Sequence, residues 1–220
     1  MKEGIMNYIK YPKTPHLPWS PGVSRDDKVL KDVSHFKGKK IVATIKMDGE
    51  NTTIYKDYIH ARSIDSKDHP SRHWVKRLQH NIGYRIPDGW RICGENLFAK
   101  HSIYYESLPS YFLVFSVWND HNECLSYIDT VGFCYELGLE IVLPMHIGIW
   151  TDETPQLLNE RFHVLYYNAE DHEEGYVVRL YDSFKYEDFE KSVAKYVREA
   201  HVQTDEHWMY KQVIQNKIGI

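Results

Sequence analysis

Four short stretches of this 220-residue chain carry residue types that can do chemistry together. The first is Lys46-Met47-Asp48-Gly49, which closes the apolar run Ile41-Val42-Ala43-Thr44-Ile45. Asp-Gly supplies the backbone freedom of a tight turn, so the pattern predicts a hairpin into a second run at Thr52-Thr53-Ile54-Tyr55. The lysine then stands at a strand end, fixed and partly desolvated, where an amine can attack a nucleotide phosphate. The second stretch, Gly94-Glu95-Asn96, sets a carboxylate in an otherwise apolar strand pattern, where unpaired charge is costly. A structural ion pair with Arg91, Lys100 or another cation is one way to meet that cost. In the third, Glu174 precedes Gly175 and the apolar run Tyr176-Val177-Val178. A carboxylate at such an edge can hold Mg²⁺ through waters, or, with Glu173, end a strand in solvated charge. The fourth is Lys195-Tyr196-Val197-Arg198, in which Lys195 is a surface lysine if it stands alone and a phosphate ligand if it faces the same site.

A single Lys-x-Asp-Gly carries little weight, but the series does. Lys46, Gly94-Glu95-Asn96, Tyr111 to Trp118, Glu174-Gly175-Tyr176-Val177-Val178-Arg179 and Lys195 follow one another over residues 40 to 200. In that order they resemble the covalent nucleotidyltransferases, the ATP-dependent ligases and mRNA-capping guanylyltransferases. Asn51, five positions after the lysine where DNA ligases and capping enzymes usually carry arginine, is similar to the second RNA ligase type of bacteriophage and to the trypanosome RNA-editing ligases. The intervals from Glu95 to Phe115 and from Glu174 to Lys195 are also similar to that group. The chain departs from the group at Val197, which stands where a second lysine is usual and leaves Arg198 as the nearest cation.

The resemblance implies an ATP-dependent RNA ligase. Lys46 takes AMP from ATP as lysyl-AMP, passes it to a 5′-phosphate of RNA, and a 3′-hydroxyl then displaces AMP, with Mg²⁺ or Mn²⁺ throughout. It implies that Lys195 assists at the phosphates and that Glu95 binds ribose. Phe115, which periodicity alone assigns to the core, stacks on adenine, and Glu174 serves the metal. Ile45, Asn51, Arg62, Arg179 and Arg198 complete the expected nucleotide-binding set. For Arg62 both the nucleotide phosphates and the RNA 5′-phosphate remain open. A small DNA ligase, a capping guanylyltransferase and a non-catalytic end-binding module of the same fold are the alternatives.

Bulk composition agrees with an ordinary globular domain. The net charge of −4 excludes a general nucleic-acid coat, which would be basic, but not a local basic patch. Lys37-Gly38-Lys39-Lys40 and Arg72 to Arg77 are candidate patches, or solvated charge runs. Three cysteines, Cys93, Cys124 and Cys134, form no Cys-x-x-Cys pair, which argues for a reducing compartment. No signal sequence or apolar run of membrane-spanning length is visible, so a cytoplasmic location is expected.

The elements that must position these residues read as an α+β domain, two antiparallel sheets with helices outside, and the resemblance implies the same fold with the nucleotide in a groove between the sheets. Residues 1–36, punctuated by Pro12, Pro15, Pro18 and Pro21, form an arm, 37–200 the adenylyltransferase domain and 201–220 a tail. Strands are expected at 41–46, 52–56, 59–63, 90–98, 111–118, 141–143 and 176–180. Ser71 is expected to cap a helix carrying Trp74, Val75, Leu78 and Ile82. Ser126 and Asp129 open a helix that Gly138 stops, and Thr154-Pro155 opens another. Asp205 to Lys217 is expected as a terminal helix. The short tail leaves no room for a separate oligonucleotide-binding domain, so strand sealing is expected to draw on a partner protein or a pre-paired substrate.

Overall fold

The computed structural model describes residues 8–162, 173–199 and 213–219. Among the described residues ten strands form two antiparallel sheets. The first has the order β10-β8-β1-β7, from β1 (Lys40–Ile45), β7 (Pro144–Ile149), β8 (Gly175–Leu180) and β10 (Val193–Val197). The second runs β3-β2-β4-β5-β6-β9, from β2 (Glu50–Ile54), β3 (Ile59–Ala61), β4 (Arg91–Asn96), β5 (Phe112–Trp118), β6 (Glu123–Cys124) and β9 (Phe184–Lys185). The helices are α1 (His73–Ile82), α2 (Tyr127–Leu137) and α3 (Thr154–Phe162). This is the α+β class expected of alternating strand runs with interspersed helices.

The cores follow from strand periodicity. Ile41, Ala43 and Ile45 of β1 join Tyr176, Val178, Ala194, Leu97 and Leu113 in one buried cluster that unites the two sheets. Phe112, Val114 and Val117 of β5 pack with Val75 and Ile82 of α1 and Cys134 and Leu137 of α2. Six of the seven β5 residues are therefore buried, on both faces, as an apolar run without alternation predicts. Ser126 caps α2 as expected, its hydroxyl accepting the Asp129 N–H at 3.2 Å, and Gly138 ends it.

The hairpin expected at Asp48-Gly49 does not form. β1 lies in the first sheet and β2 in the second, so residues 46–49 carry the chain from one to the other. Asp48 is used as an anchor rather than as a turn former. Its Oδ2 accepts the backbone N–H groups of Ser102 and Ile103, both at 2.7 Å, and its own N–H donates to the Tyr105 hydroxyl at 2.9 Å. Gly49 does not have positive φ. It is needed because a Cβ there would stand 2.6 Å from the Asn96 carbonyl oxygen.

Three smaller expectations also change. α1 starts at His73, and Ser71 lies in a preceding 3₁₀ turn capped by the His69 ring. The strand expected at 141–143 begins at Pro144, while Ile141 makes only a single bridge to Val114. The helix expected over 205–217 is absent from residues 213–217. They run extended, with the N–H of Asn216 bound to the Phe98 carbonyl, that of Lys217 to the Tyr105 carbonyl and that of Lys100 to the Ile214 carbonyl. Buried Asn216 fixes this path through its side chain, accepting from Tyr105 N–H at 3.0 Å and donating to the Leu97 carbonyl at 2.9 Å. Residues 205–212 lie outside the described residues. Among the described residues no helix is long and apolar enough to cross a membrane.

Candidate active site

A cleft opens between the two sheets, and its floor is written in the register of the first one. Val42 of β1 pairs with Arg179 of β8, which pairs in turn with Val193 of β10; two residues along, Thr44 pairs with Val177 and Val177 with Lys195. All six line the cleft. Continuing that face past the end of β1 brings in Lys46, whose N–H is held by the Gly175 carbonyl at 2.9 Å. Asn51, Glu95 and Phe115 line the opposite side from the second sheet, and Ile45 and Arg62 also border the cleft. Asn51 and Glu95 are direct cross-strand partners.

Lys46 Nζ lies 2.5 Å from Glu174 Oε2, with side-chain exposures of 25% and 8%. Gly175 makes this approach possible. Its backbone runs so close to the Tyr196 carbonyl that a Cβ would overlap it, so β8 and β10 can draw together beneath Glu174. Desolvation alone would lower the Lys46 pKa, but the Glu174 carboxylate, then Glu95 and Asp48, outweigh it and hold the amine above its ordinary value. The amine is thus an ammonium at neutral pH. Lys195 is shifted the other way, lowered by desolvation and then by Lys46. Burial pushes Glu95 up to about 8, against the pull of Lys46 and with the Glu174 and Asp48 charges adding to the rise. Glu95 therefore does not pair with Arg91, whose guanidinium stacks on Trp118 and donates to Asn122.

Phe115 reaches the cleft through a β-bulge. The register between β4 and β5 shifts by one residue, Cys93 facing Ser116 and Gly94 facing Val114, which leaves Phe115 without an opposite number. Bulges re-aim side chains next to binding sites. Its ring meets the edge of Tyr11 at 5.2 Å. The amide oxygen of Asn51 is buried among the cleft residues with no hydrogen-bond partner, a costly condition that a ligand donor would relieve.

Two expected residues are placed otherwise. Arg179 reaches the cleft wall, but its guanidinium donates to the carbonyls of Leu125 at 2.6 Å, Leu180 at 3.0 Å and Phe115 at 3.5 Å. It braces the end of the cleft and is not free for phosphate. Arg198 does not reach the cleft at all. β10 meets the cleft at Val193 and Lys195, and strand alternation puts Val197 rather than Arg198 in phase with them. Its Nε donates to the Glu173 carbonyl at 3.1 Å and its N–H to that of Glu174. What the motif reading missed is the arm: Tyr11, Pro12, Lys13 and Thr14 complete the cleft wall. The proline spacing marks an extended segment there, but no pattern in it says which side chains meet the site.

Glu95 and Glu174, with the Lys46 amine between them, offer hard oxygen donors of the kind magnesium or manganese takes one or two at a time beside phosphate. Among the described residues no closed group of three or more metal-binding side chains occurs.

Two sheets enclosing a lysine-bearing cleft define a nucleotidyltransferase fold. A family model described as RNA ligase matches residues 39–197, and the chain belongs to the RNA ligase family. No curated protein matches it. Among solved structures it is similar to the RNA ligase of Naegleria gruberi. With pyrophosphate, that structure is 17% identical over 89% of this chain and 62% of that one, at a TM-score of 0.57. A mutant with ATP and Mn is 16% identical over 77% and 52%, at 0.56, and another with AMP and Mn is 17% identical over the same shares, also at 0.56. The chain thus spans about half to three-fifths of those ligases.

Proposed function

We propose that this chain is an ATP-dependent RNA ligase that joins RNA ends through lysyl-AMP on Lys46. The observation that carries the proposal is the Lys46 amine, paired with Glu174 and within the field of Glu95 in a cleft that Asn51, with its unpartnered amide oxygen, also lines. Family membership and the ATP, AMP and pyrophosphate named for the Naegleria structures support it.

In the first step Lys46 must give up a proton before attack, and its hydrogen bond to Glu174 is the available route. The Nζ lone pair then forms a bond to the α-phosphorus while the bond to the bridging oxygen breaks. Pyrophosphate leaves with that electron pair, and the second amine proton is shed as the phosphoramidate forms. Lys195, projecting from the same floor, stabilises the charge that develops on the leaving group. Asn51 and Glu95 hold the ribose hydroxyls, Phe115 covers one face of adenine, and Ile45 borders the base. Arg62, exposed at the rim where the cleft meets a second, more open cavity, takes the 5′-phosphate of the RNA. Glu174 would hold the divalent metal, which when bound offsets phosphate charge and orients the α-phosphate. In the second step AMP passes to the RNA 5′-phosphate, restoring the lysine; in the third a 3′-hydroxyl attacks the adenylylated end and expels AMP.

Incubation with ATP and Mn²⁺ followed by intact mass measurement tests the first step. One AMP should be gained, absent from Lys46→Ala, and GTP should give no adduct. Sealing of matched RNA and DNA nicks tests the substrate. An adduct from GTP alone would point to capping chemistry, and no adduct from either would leave an end-binding module.

A further inference from the structure

The last strand of the cleft floor lacks a cation at the position after Lys195. Val197 occupies it, 6% exposed, with the arm packed over it: Gly22 N–H bonds the Val197 carbonyl at 2.9 Å and Ser20 Oγ accepts the Val197 N–H at 2.9 Å. Arg198 is on the wrong face. The positive charge at that end of the cleft comes instead from the arm.

The arm is zipped onto the free edge of β10. Lys195 N–H donates to the Pro15 carbonyl at 2.9 Å and Leu17 N–H to the Lys195 carbonyl at 2.7 Å, with His16 bridging to both Lys195 and Val29. That registration sets Lys13 against the cleft that Lys46 and Lys195 also line. Asp27 then gathers the two amines on one oxygen: its Oδ1 lies 3.2 Å from Lys13 Nζ and 3.9 Å from Lys195 Nζ. The carboxylate is itself fixed, its Oδ2 accepting the Ser24 hydroxyl at 2.7 Å and the Ser24 N–H at 3.1 Å. Lys13 also donates to the Asp26 carbonyl. The remaining neighbour, His16, has its Nε2 3.3 Å from Asp27 and its Nδ1 on Ser20 Oγ. Burial holds its ring neutral, with a pKa lowered to about 4. One carboxylate therefore faces two ammonium groups, and the cluster carries excess positive charge at the mouth of the cleft.

We infer that Lys13 is the second cation of the polyphosphate subsite, supplied by the arm in place of the side chain missing at Val197, and that Asp27 positions it beside Lys195. This rests on the nucleotidyl-transfer reading and deepens it. As the bond between the α-phosphorus and its bridging oxygen breaks, the electron pair moves onto pyrophosphate, and two ammonium groups stabilise that charge better than one. AMP has no phosphate for Lys13 to meet, so the lysine distinguishes ATP from AMP.

The test uses Lys46→Ala protein, which binds nucleotide without reacting, and compares ATP with AMP by calorimetry. Adding Lys13→Ala should weaken ATP about tenfold and leave AMP within twofold. Lys13→Arg should restore most of the ATP affinity, and Asp27→Asn should show a smaller, equally ATP-selective loss. In the otherwise unaltered chain, Lys13→Ala should raise the KM for ATP in lysine adenylylation. Equal weakening of ATP and AMP, or of neither, overturns the inference and leaves Lys13 as a strut between arm and sheet. Failure of the unaltered chain to take up AMP would instead refute the parent reading, while the ATP-to-AMP comparison would still decide Lys13.

Discussion

At the level of single residues, the cleft is a contest between one amine and several carboxylates. Glu95 loses most by it, since burial and its neighbours push its pKa up to about 8 from an ordinary 4.5. A carboxyl raised in the folded state favours folding while it stays protonated, and that contribution declines as pH climbs from the unfolded value through the folded one. Glu95→Gln should therefore stabilise the nucleotide-free chain at pH 9 by about 1–2 kcal/mol in urea unfolding and by nothing measurable near pH 5. The same substitution removes an anion whose field raises the Lys46 pKa, so the rising limb of the adenylylation pH profile, which follows deprotonation of the amine, should move to lower pH even as ATP binding weakens. The two basic residues of the last motif should also part company. Lys195→Ala should slow adenylylation by about 10²–10³-fold, whereas Arg198→Ala, off the cleft face, should change it only a few-fold. Lys46, Glu95, Phe115, Glu174 and Lys195 were all legible as a spaced series, and each borders or bonds within the cleft. The roles of Arg179 and Arg198 were not, because a motif gives a residue's neighbours in sequence while the phase of a strand decides which way its side chain leaves.

Among the elements, β5 and α2 were readable because each carries its own complete signal, an unbroken apolar run in one case and a cap and a stop in the other. The link from β1 to β2 was not. Two period-2 runs joined by Asp-Gly look alike whether the second strand pairs with the first or crosses to another sheet, and here Ser102 and Ile103 decide it by engaging Asp48. Asp48→Ala should cost about 1–3 kcal/mol, since it strands two buried backbone N–H groups. Asp48→Asn keeps one oxygen able to accept both and should cost less; thermal unfolding of the pair measures the difference. The bulge in β5 makes a related distinction between adjacent side chains. Leu113→Ala, fully buried between the sheets, should cost about 2–5 kcal/mol of stability. Phe115→Ala should leave the fold largely intact and weaken adenine nucleotide binding by about 1–3 kcal/mol, as titration of the two variants would report.

For the molecule as a whole, chain far from the motifs finishes the structure at both ends of the sequence. Residues 8–36 complete the cleft and extend the first sheet, and residues 213–219 bind the loops around Phe98, Tyr105 and Leu108. The Asn216 side chain serves Leu97 and Tyr105 at once while its backbone carbonyl accepts the Tyr111 hydroxyl, so Asn216→Ala, which removes the first two bonds, should lower stability by about 2–3 kcal/mol and loosen the Asp48 anchor, which shares Tyr105. Hydrogen exchange at Ser102 and Ile103 would register that loosening. These long-range closures had no trace in periodicity, since their partners lie up to 180 positions away in the sequence, as between Pro15 and Lys195.

The crossing at residues 46–49 also bears on what an adenylate would do to the scaffold. Lys46 continues β1 of the first sheet and Phe115 lies in β5 of the second, the chain crossing from Lys46 to the second sheet through only three intervening residues before β2 begins. A nucleotide bonded to one and stacked on the other would act as a rivet through both leaves, so the charged intermediate ought to resist proteolysis better than the resting chain and relax again once the adenylate departs.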